Sequence, residues 1–288
     1  MKQIDIYGKK TDIDSKQDKL LHFMYTTAIG RFLLKPLVSP LFSKMAGRFL
    51  NTHFSCRFIE PFIRSNSIDM TDFEERNFTS YNDFFTRRIK PGKREIPADE
   101  KLLISPCDSF VTAYPVTDRL SFDVKDTEYT VRSLLHSKKL AERFQGGYAL
   151  IFRLTVSDYH RYCYAVSGTQ SKNYSIAGTL HTVNPVANDC LPVYKENSRE
   201  YTLIHSDRFG EVLQMEVGAL MVGKIVNHKQ SCPVLRGEEK GYFEFGGSTI
   251  ILLLQKDTVK LREDLLTNTE EGYETQVRLG NAIGTSLL

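Results

Sequence analysis

The sequence predicts an α+β fold, in which a helical N-terminal arm leads into a β-rich body. Two observations predict it. Before about residue 100, apolar side chains recur at three- and four-residue steps, as they do along one face of a helix. After that point the apolar runs are short, contain many β-branched or aromatic residues, and are separated by Gly, Asn, Asp or Ser, which is typical of strands. We therefore divide the chain into residues 1–100 and 101–288.

Three helices are predicted in the arm. The apolar positions at helical spacing in the first are Leu20, Leu21, Met24, Ala28 and Phe32. Pro36 and Pro40 interrupt this pattern, and a second short helix is predicted over residues 42–49. The third lies in SYNDFFTRRIK (80–90), where Ser80 can cap the first turn and the basic residues suit the negative end of the helix dipole.

The body contains candidate strands at 148–156, 173–183, 199–206 and 211–226. A further stretch, GYFEFGGSTIILLLQ (241–255), is typical of a β-hairpin, because Gly246 and Gly247 can supply a positive φ between two apolar runs. The alternative is that Ser248 in this stretch is chemically reactive. Taken alone, the stretch favours the hairpin, so the choice depends on the rest of the chain.

Composition limits the classes of function. The 288 residues are 41% hydrophobic and 25% charged, which is ordinary for a soluble protein, and a net charge of +3 is too small to indicate nucleic-acid binding. The five cysteines show no C-x-x-C spacing, which favours reduced thiols in a cytosolic environment. The polar N-terminus does not resemble a secretory signal, and no apolar run is long enough to span a bilayer. The protein is expected to be soluble or peripheral.

The arm is strongly basic. No acidic residue occurs between Lys19 and Phe58, and the basic residues of this stretch are Lys19, Arg31, Lys35, Lys44, Arg48 and Arg57. One interpretation is a pair of core-packing helices with a solvated basic side. The other is an amphipathic surface that rests on anionic lipid headgroups, where each basic residue contributes about 1 kcal/mol. The absence of carboxylates favours the membrane surface.

Three residues could form a proton relay. Asp108 follows the apolar run in LLISPCDS, His160 follows the strand predicted at 148–156, and Ser248 follows the two glycines. A serine hydroxyl becomes a nucleophile when a base takes its proton, and a carboxylate can hold that base in the required tautomer. Separation along the chain does not decide whether the three meet, so the relay is a hypothesis at this point.

Six segments, taken together and in order, resemble the phosphatidylserine decarboxylase family. They are NDFFTRRIKPGKREI (82–96), LLISPCDS (102–109), DYHRY (158–162), VNP (183–185), EVGALMVGKI (216–225) and KGYFEFGGST (240–249). The GGST at the end of the last segment is similar to the Gly-Ser-Thr self-cleavage motif of that family. The resemblance covers about residues 80–256, and it favours the reactive serine over an ordinary hairpin.

This resemblance implies a bacterial, self-processing, pyruvoyl-dependent enzyme whose catalytic domain is residues 101–288. Gly247–Ser248 would be the scissile bond, and Ser248 would become the covalent pyruvoyl cofactor. Asp108 would be the family's acid, and His160 would be a histidine of its D-Y-H motif. The α and β chains of the same precursor would form the enzyme, which would convert phosphatidylserine to phosphatidylethanolamine and CO₂ through a Schiff base.

The resemblance also implies a location and a set of partners. The arm, residues 1–100, would attach the enzyme peripherally to an anionic membrane surface, on the cytoplasmic side of the cell membrane. The substrate phosphatidylserine is the expected ligand. Neither a metal nor a nucleic acid is expected, and the oligomeric state, including a homodimer, stays open.

Two positions depart from the family's pattern. Many members carry D-Y-H-R-x-H, whereas here Cys163 replaces the second histidine. Either His160 performs both roles, or His181 enters the site, which requires the strand at 173–183 to pair beside 158–166. A thiolate base at Cys163 is a weaker alternative. The second departure is Ser109, where the family commonly has glycine.

Two other functions stay open. The first is a serine hydrolase that uses Asp108, His160 and Ser248 without self-cleavage, although G-x-S-x-G is absent. The second is an inactive membrane-associated relative, although the intact GGST argues against it. The basic residues that could bind a phosphate or carboxylate are Arg87, Arg88 and Lys224, and solvation at the surface explains them equally well.

Overall fold

Helices occupy much of the first 65 residues, and strands dominate after residue 100. The structure, a computed structural model, describes residues 2–12, 16–124, 127–184, 187, 190–220, 224–246 and 248–288. The helices are α1 (Lys16–Thr26), α2 (Ala28–Leu37), α3 (Pro40–Leu50), α4 (Ile59–Ser65), α5 (Tyr81–Phe85), α6 (Val131–Leu135), α7 (Lys138–Ala141), α8 (Val193–Glu196) and α9 (Glu263–Glu270). Short 3-10 helices lie at His53–Phe58 and Glu142–Phe144.

Most strands contain three to seven residues. They are β1 (Lys2–Ile4), β2 (Lys10–Asp12), β3 (Leu102–Ile104), β4 (Ser109–Pro115), β5 (Ser121–Val124), β6 (Thr127–Thr130), β7 (Tyr148–Leu154), β8 (Arg161–Cys163), β9 (Gly168–Gln170), β10 (Tyr174–Ile176), β11 (Arg199–Ser206), β12 (Gly210–Gly218), β13 (Ile225–Asn227), β14 (Pro233–Val234), β15 (Glu239–Phe243), β16 (Ser248–Leu254), β17 (Val259–Leu261), β18 (Glu274–Val277) and β19 (Ala282–Ser286).

The strands form one large sheet and smaller sheets beside it. Within the described residues, the large sheet has 11 strands in the order β14–β9–β11–β12–β16–β7–β4–β18–β1–β2, with β10 on β11. Neighbours in it are antiparallel, except that β1 is parallel to β18. A second sheet, β13–β15–β8, contacts the first through Lys240, which donates to Glu216. Helices grouped near the N-terminus and a mainly antiparallel sheet confirm the α+β class.

The helical arm follows the predicted pattern with one change. Thr27 caps a new helix by accepting a hydrogen bond from Gly30 N at 2.9 Å, so the first predicted helix is two helices, α1 and α2. Pro36 lies in the last turn of α2, and Pro40 is the first residue of α3, so the predicted boundary between them is confirmed. In the third helix Ser80 caps as predicted, but α5 ends at Phe85, before the basic residues.

The arm has a buried face and an exposed face. Leu21 and Tyr25 of α1, Leu34 of α2 and the C-cap residue Val38 join the main hydrophobic core. The large apolar side chains exposed along residues 20–58 are Leu20, Phe23, Ile29, Phe32, Leu33, Leu41, Met45, Phe49, Phe54 and Phe58. In the described part of the chain, no helix is both long enough and apolar enough to cross a membrane.

The stretch 241–255 is not a hairpin. Its first strand, β15, pairs with β13 and β8, and its second, β16, pairs with β12 and β7, so the two strands belong to different sheets. Gly246, with φ of +134°, lies where the chain passes between the sheets, and this backbone region is open to glycine alone among the residues. Gly247 lies outside the described residues. The hairpin prediction was wrong because both neighbours of β16 come from distant segments.

The other strand predictions differ in extent. β7 and β11 match the predicted segments 148–156 and 199–206. The strand predicted over 173–183 ends at Ile176, and the one over 211–226 divides into β12 and β13. Residues 221–223 of the second segment, and Pro185 of the VNP segment, lie outside the described residues.

Candidate active site

Ser248 lies inside the protein at the start of a central strand. It opens β16, where it pairs with Leu154 of β7 on one side and Gly218 of β12 on the other. Ser109 of β4 continues this row of the sheet beyond Leu154, since Phe110 pairs with Arg153. Ser248 is 0% exposed, and its Oγ has no hydrogen-bond partner. A buried hydroxyl without a partner is uncommon and calls for an explanation.

His160 lies against the segment that leads to Ser248. It precedes β8, its carbonyl accepts from Phe243 N at 3.0 Å, and its ring is close to the backbone of Gly246. Two residues span at most about 7 Å, so Ser248 is near this ring. His160 is 0% exposed, and Phe85 covers one ring face at 4.0 Å between centroids. The structure therefore brings His160 and Ser248 into one buried region.

The hydrogen bonds of His160 fix its tautomer. Nδ1 lies 2.9 Å from the backbone oxygen of Asp158, and because a carbonyl only accepts, Nδ1 carries the proton. Nε2 is buried without a partner and has a free lone pair. Burial lowers the pKa of His160 to about 3; the bond to Asp158 raises it, and the nearby Arg87 guanidinium lowers it. The ring is therefore neutral at pH 7 and able to accept a proton at Nε2.

Asp108 lies close by, but its hydrogen bonds go elsewhere. Asp108 immediately precedes Ser109, which lies in the same row of the sheet as Ser248 and two strands away. At the usual strand spacing, the Cα atoms of Asp108 and Ser248 are therefore about 10 Å apart. Its carboxylate accepts from Arg94 Nε at 3.0 Å and Arg94 Nη2 at 2.5 Å, and from Leu279 N at 2.8 Å. The group that orients His160 in this structure is the carbonyl of Asp158, not the Asp108 carboxylate.

His181 reaches the same end of the sheet by a route that the sequence did not predict. It lies outside any strand, and β10 pairs with β11 instead of β8. Asn197 holds it there by donating from Nδ2 to the carbonyls of His181 and Gly218, each at 2.8 Å, and Gly218 is the partner of Ser248 in the sheet. The predicted pairing was wrong. His181 nevertheless lies near the end of β12 that pairs with Ser248, because Asn197 links it to Gly218.

Tyr25 of α1 contacts His181. The Tyr25 hydroxyl accepts from Thr182 N at 3.2 Å and lies 3.2 Å from His181 Nδ1. Because a phenol can either donate or accept at that nitrogen, the contact is compatible with both neutral tautomers of His181. Burial lowers the pKa of His181, which is half-buried.

The two positions that depart from the family pattern are both accommodated. Cys163 is buried in β8, and burial raises its pKa to about 12, so it is a thiol at neutral pH and not a thiolate base. Ser109 begins β4, and its φ is not positive, so this position does not require glycine. In the described part of the chain, no three His, Cys, Asp or Glu side chains are grouped as metal ligands would be.

Sequence reasoning missed two residues that shape the site: Phe85 covers His160, and the carbonyl of Asp158 orients it. Arg87 was named as a candidate anion-binding residue with surface solvation as the alternative, and at 1% exposed it is not solvated at the surface. The Asp158 carboxylate closes the preceding turn by accepting from Thr155 N at 2.6 Å, and burial raises its pKa to about 6. The spacing Thr155-x-x-Asp158 is a local turn signal that could have been recognised. Burial of Arg87 has no such signal.

Two cavities flank this region. One of about 140 Å³ lies beside Asp108 and has Arg94, Tyr159, Arg161, Cys163 and Glu239 in its wall. A larger one of about 360 Å³ is lined by Arg153 and Tyr194. Arg153 pairs with Thr249 and not with Ser248, so the larger cavity is on the opposite face of the sheet from the Ser248 side chain. The smaller cavity is the one next to the candidate site.

Comparison with known proteins gives a consistent match. The family model described as phosphatidylserine decarboxylase matches residues 81–285. The phosphatidylserine decarboxylase proenzyme 2 of Clostridium acetobutylicum is 47% identical over 266 residues, covering 92% of this chain and 91% of that protein. A phosphatidylserine decarboxylase proenzyme of Clostridium botulinum is 39% identical over 274 residues, covering 93% of each. One of Clostridium perfringens is 38% identical over 291 residues, covering 98% and 99%.

Proposed function

The chain belongs to the phosphatidylserine decarboxylase family, and from this premise we propose that it is a self-processing enzyme that converts phosphatidylserine to phosphatidylethanolamine and CO₂. One observation carries the proposal. Ser248 Oγ and His160 Nε2 are both fully buried, have no partners, and lie in the same region. An unprotonated imidazole nitrogen and a serine hydroxyl are the two groups that nucleophilic attack by serine requires, and here neither group is engaged by another hydrogen bond.

The first step of self-processing is attack within the chain. Ser248 Oγ bonds to the carbonyl carbon of Gly247, His160 Nε2 takes the hydroxyl proton, and the C–N bond breaks as the nitrogen of Ser248 gains a proton. The product is an ester between Gly247 and the Ser248 side chain. The hydrogen bond from His160 Nδ1 to Asp158 favours the tautomer that this step needs.

The ester is then lost by elimination. Removal of the Ser248 α-proton breaks the Cβ–O bond, the carboxylate of Gly247 departs, and a dehydroalanine residue remains. Tautomerisation and addition of water then release ammonia and leave a pyruvoyl group at the start of residues 248–288. A role for Asp108 in this relay rests on the resemblance and on its position two strands from Ser248, with Arg94 holding its carboxylate in place.

Decarboxylation uses the group formed from Ser248. The pyruvoyl carbonyl would supply the electron sink that loss of CO₂ from an amino acid requires. Water is excluded from residue 248, because Ser248 is fully buried and Phe85 packs on the ring of His160. We assign protonation of the product carbon to His181 or His160, and the contact of the Tyr25 hydroxyl with Nδ1 at 3.2 Å orients the His181 ring for this role.

Membrane attachment is assigned to the arm. The arm surface, defined as the ten exposed apolar side chains named above for residues 20–58, carries exposed Arg31, Lys35, Lys44, Arg48 and Arg57 among them. Apolar side chains interleaved with cations suit an anionic lipid surface. Because phosphatidylserine is itself a membrane lipid, we propose that the enzyme binds peripherally on the cytoplasmic side of the cell membrane. Flotation with anionic but not neutral vesicles, weakened by changing Phe32 and Leu33 to Glu, is expected.

Mass spectrometry of the purified protein tests the processing. Wild type should give residues 1–247 and 248–288, with the shorter chain lighter by one ammonia than a chain that begins with serine. Ser248→Ala should stay uncut, while Ser109→Ala, a buried serine in the same row of the sheet, should be cut. The processed protein should release labelled CO₂ from phosphatidylserine labelled in the serine carboxyl group.

The two alternatives predict different results. An uncut wild-type chain whose Ser248 reacts with a phosphonate would indicate a serine hydrolase. An uncut and unreactive chain would indicate an inactive relative.

A further inference from the structure

Arg87 is a buried charge that the proposed reaction has not yet used. The residue is 1% exposed. Its Nη2 donates to the backbone oxygens of Ser157 at 3.0 Å and Asp158 at 3.4 Å. Nε and Nη1, which together carry three N–H groups, have no hydrogen-bond partner. Within the described structure, the guanidinium is therefore only partly satisfied.

This arrangement is costly, although, against the effect of burial, the nearby carboxylates of Asp158 and Asp108 raise the pKa of Arg87 and favour its charged form. A buried cation loses its hydration, and each unpaired donor adds to that cost. The rings of Phe73 and Phe84 offset part of it by cation–π contact, at 4.2 and 5.0 Å from the guanidinium carbon. Burial lowers the pKa of Arg87 to about 10, so the side chain still carries its charge at neutral pH.

Arg87 is coupled to His160 and to the segment before Ser248. The guanidinium and the His160 ring donate to the same acceptor, the backbone oxygen of Asp158. Helix α5, which ends two residues before Arg87, packs Tyr81 and Phe85 on Phe245, each at 5.0 Å. Asn82 of α5 also accepts from Phe245 N at 3.0 Å. The Arg87 guanidinium therefore shares the buried region of His160 and is linked through helix α5 to the segment that leads to Ser248.

Self-processing, as proposed above, creates negative charge in that region. Attack by Ser248 Oγ places a negative charge on the carbonyl oxygen of the acyl group, and elimination then releases that group as a carboxylate. We propose that Arg87 stabilises this charge and pairs with the carboxylate that leaves Ser248. A guanidinium has the planar donors that bind a carboxylate well. The inference rests on the proposed self-processing.

An anion formed inside the protein fits Arg87 better than one that enters from solvent. The guanidinium is covered by Phe73 and Phe84, and Arg87 lines neither of the two cavities described above. A lipid phosphate would have to displace those rings, whereas the acyl group of the ester is part of the chain itself. The experiment must therefore distinguish binding of the substrate headgroup by Arg87 from binding of the carboxylate formed during self-processing.

The rate of self-cleavage in Arg87 variants tests the proposal. Arg87→Met keeps an unbranched, flexible apolar side chain and removes the guanidinium, and it should slow the appearance of residues 248–288 by about 100-fold. Arg87→Lys keeps the charge and should recover at least about a tenth of the wild-type rate. Arg88→Met is the matched control, since Arg88 is adjacent and exposed, and it should be cut at the wild-type rate.

Hydroxylamine identifies the step that is slowed. It cleaves esters, so it converts an accumulated ester into a long chain ending in a hydroxamate and a short chain that begins with intact serine. More hydroxylamine-sensitive chain in Arg87→Met than in wild type would show that departure of the carboxylate is impaired. Slow cleavage without accumulated ester, recovered in Arg87→Lys, would show that the attack by Ser248 is impaired, and either result supports the proposal. Folding is checked separately, by comparing the unfolding of Ser248→Ala with and without Arg87→Met.

Each remaining outcome overturns the proposal. Cleavage of Arg87→Met at the wild-type rate would do so, and with a raised KM for phosphatidylserine it would assign the guanidinium to the substrate. Arg87 would be assigned to folding if Arg87→Met is cut slowly, Arg87→Lys does not recover the rate, and the Ser248→Ala/Arg87→Met chain is unfolded to a matching extent. If the wild-type chain itself is uncut, self-processing fails, and that result is distinct from a failure of Arg87 alone.

Discussion

The rate of self-cleavage should stay nearly constant as the pH falls from 7 to 5. Burial lowers the pKa of His160 to about 3, so its Nε2 keeps a free lone pair over this whole range. An imidazole with an ordinary pKa of about 6.5 would be almost fully protonated at pH 5, and the rate would fall roughly thirtyfold. We therefore expect the wild-type rates at pH 5 and pH 7 to differ by less than about threefold.

Titration of Asp158 is the process that could disturb this plateau. Burial raises the pKa of Asp158 to about 6, so its carboxylate takes up a proton as the pH falls through that value. The group that holds His160 is the backbone carbonyl of Asp158, which does not titrate. Protonation of the carboxylate weakens its bonds to Thr155 and leaves the orientation of the imidazole in place.

The assay follows newly made chain. Cell-free synthesis with labelled leucine marks both products, because residues 248–288 contain leucine but no methionine. Synthesis is stopped after a short pulse, the chain is diluted into buffers from pH 5 to 8, and residues 248–288 are quantified against time. His160→Gln should be cut at least about 100-fold more slowly at pH 7. A wild-type rate that falls tenfold per unit below pH 6.5 would refute the argument that a buried, neutral His160 is the base.

Three further predictions concern stability and the second histidine. In the uncut Ser248→Ala chain, the folded pKa of His160 lies below its unfolded value, so the stability present at pH 7 is lost as the pH falls from about 6.5 towards 3. Between pH 7 and pH 5, the free energy of unfolding measured in urea should fall by about 2 kcal/mol more in this chain than in the same chain with His160→Gln. The His160→Gln chain is the control, because Asp158 titrates in both. Lys240→Met should lower the free energy of unfolding by about 3–5 kcal/mol, because Glu216, 2.7 Å from Lys240 Nζ and fully buried, loses its partner; an unchanged urea midpoint would contradict this. His181→Gln should leave self-cleavage intact and reduce CO₂ release at least about tenfold, and equal activity of the two proteins would exclude His181 from protonation.

The sequence determined the parts of the protein that depend on local pattern. Apolar spacing gave the arm helices, because burying one face of a helix needs side chains at three- and four-residue steps. The apolar runs at β7 and β11 identified strands, and six short segments in order, the last ending in Gly-Gly-Ser-Thr, identified the family and Ser248. These signals reside in a few consecutive residues, so no knowledge of distant contacts is needed to recognise them.

The tertiary structure alone decided which of these segments meet. Taken alone, the stretch that contains β16 favours a hairpin, and only the pairing with β7 and β12 makes it a central strand and buries Ser248. Arg87 lies in a run of basic residues, and its burial depends on Phe73, Phe84 and the carbonyls before His160. Which strands pair, and which charges are buried, depends on contacts between residues far apart in the chain. Those contacts provide the hydrogen bonds and exclude water, and a local pattern cannot specify either.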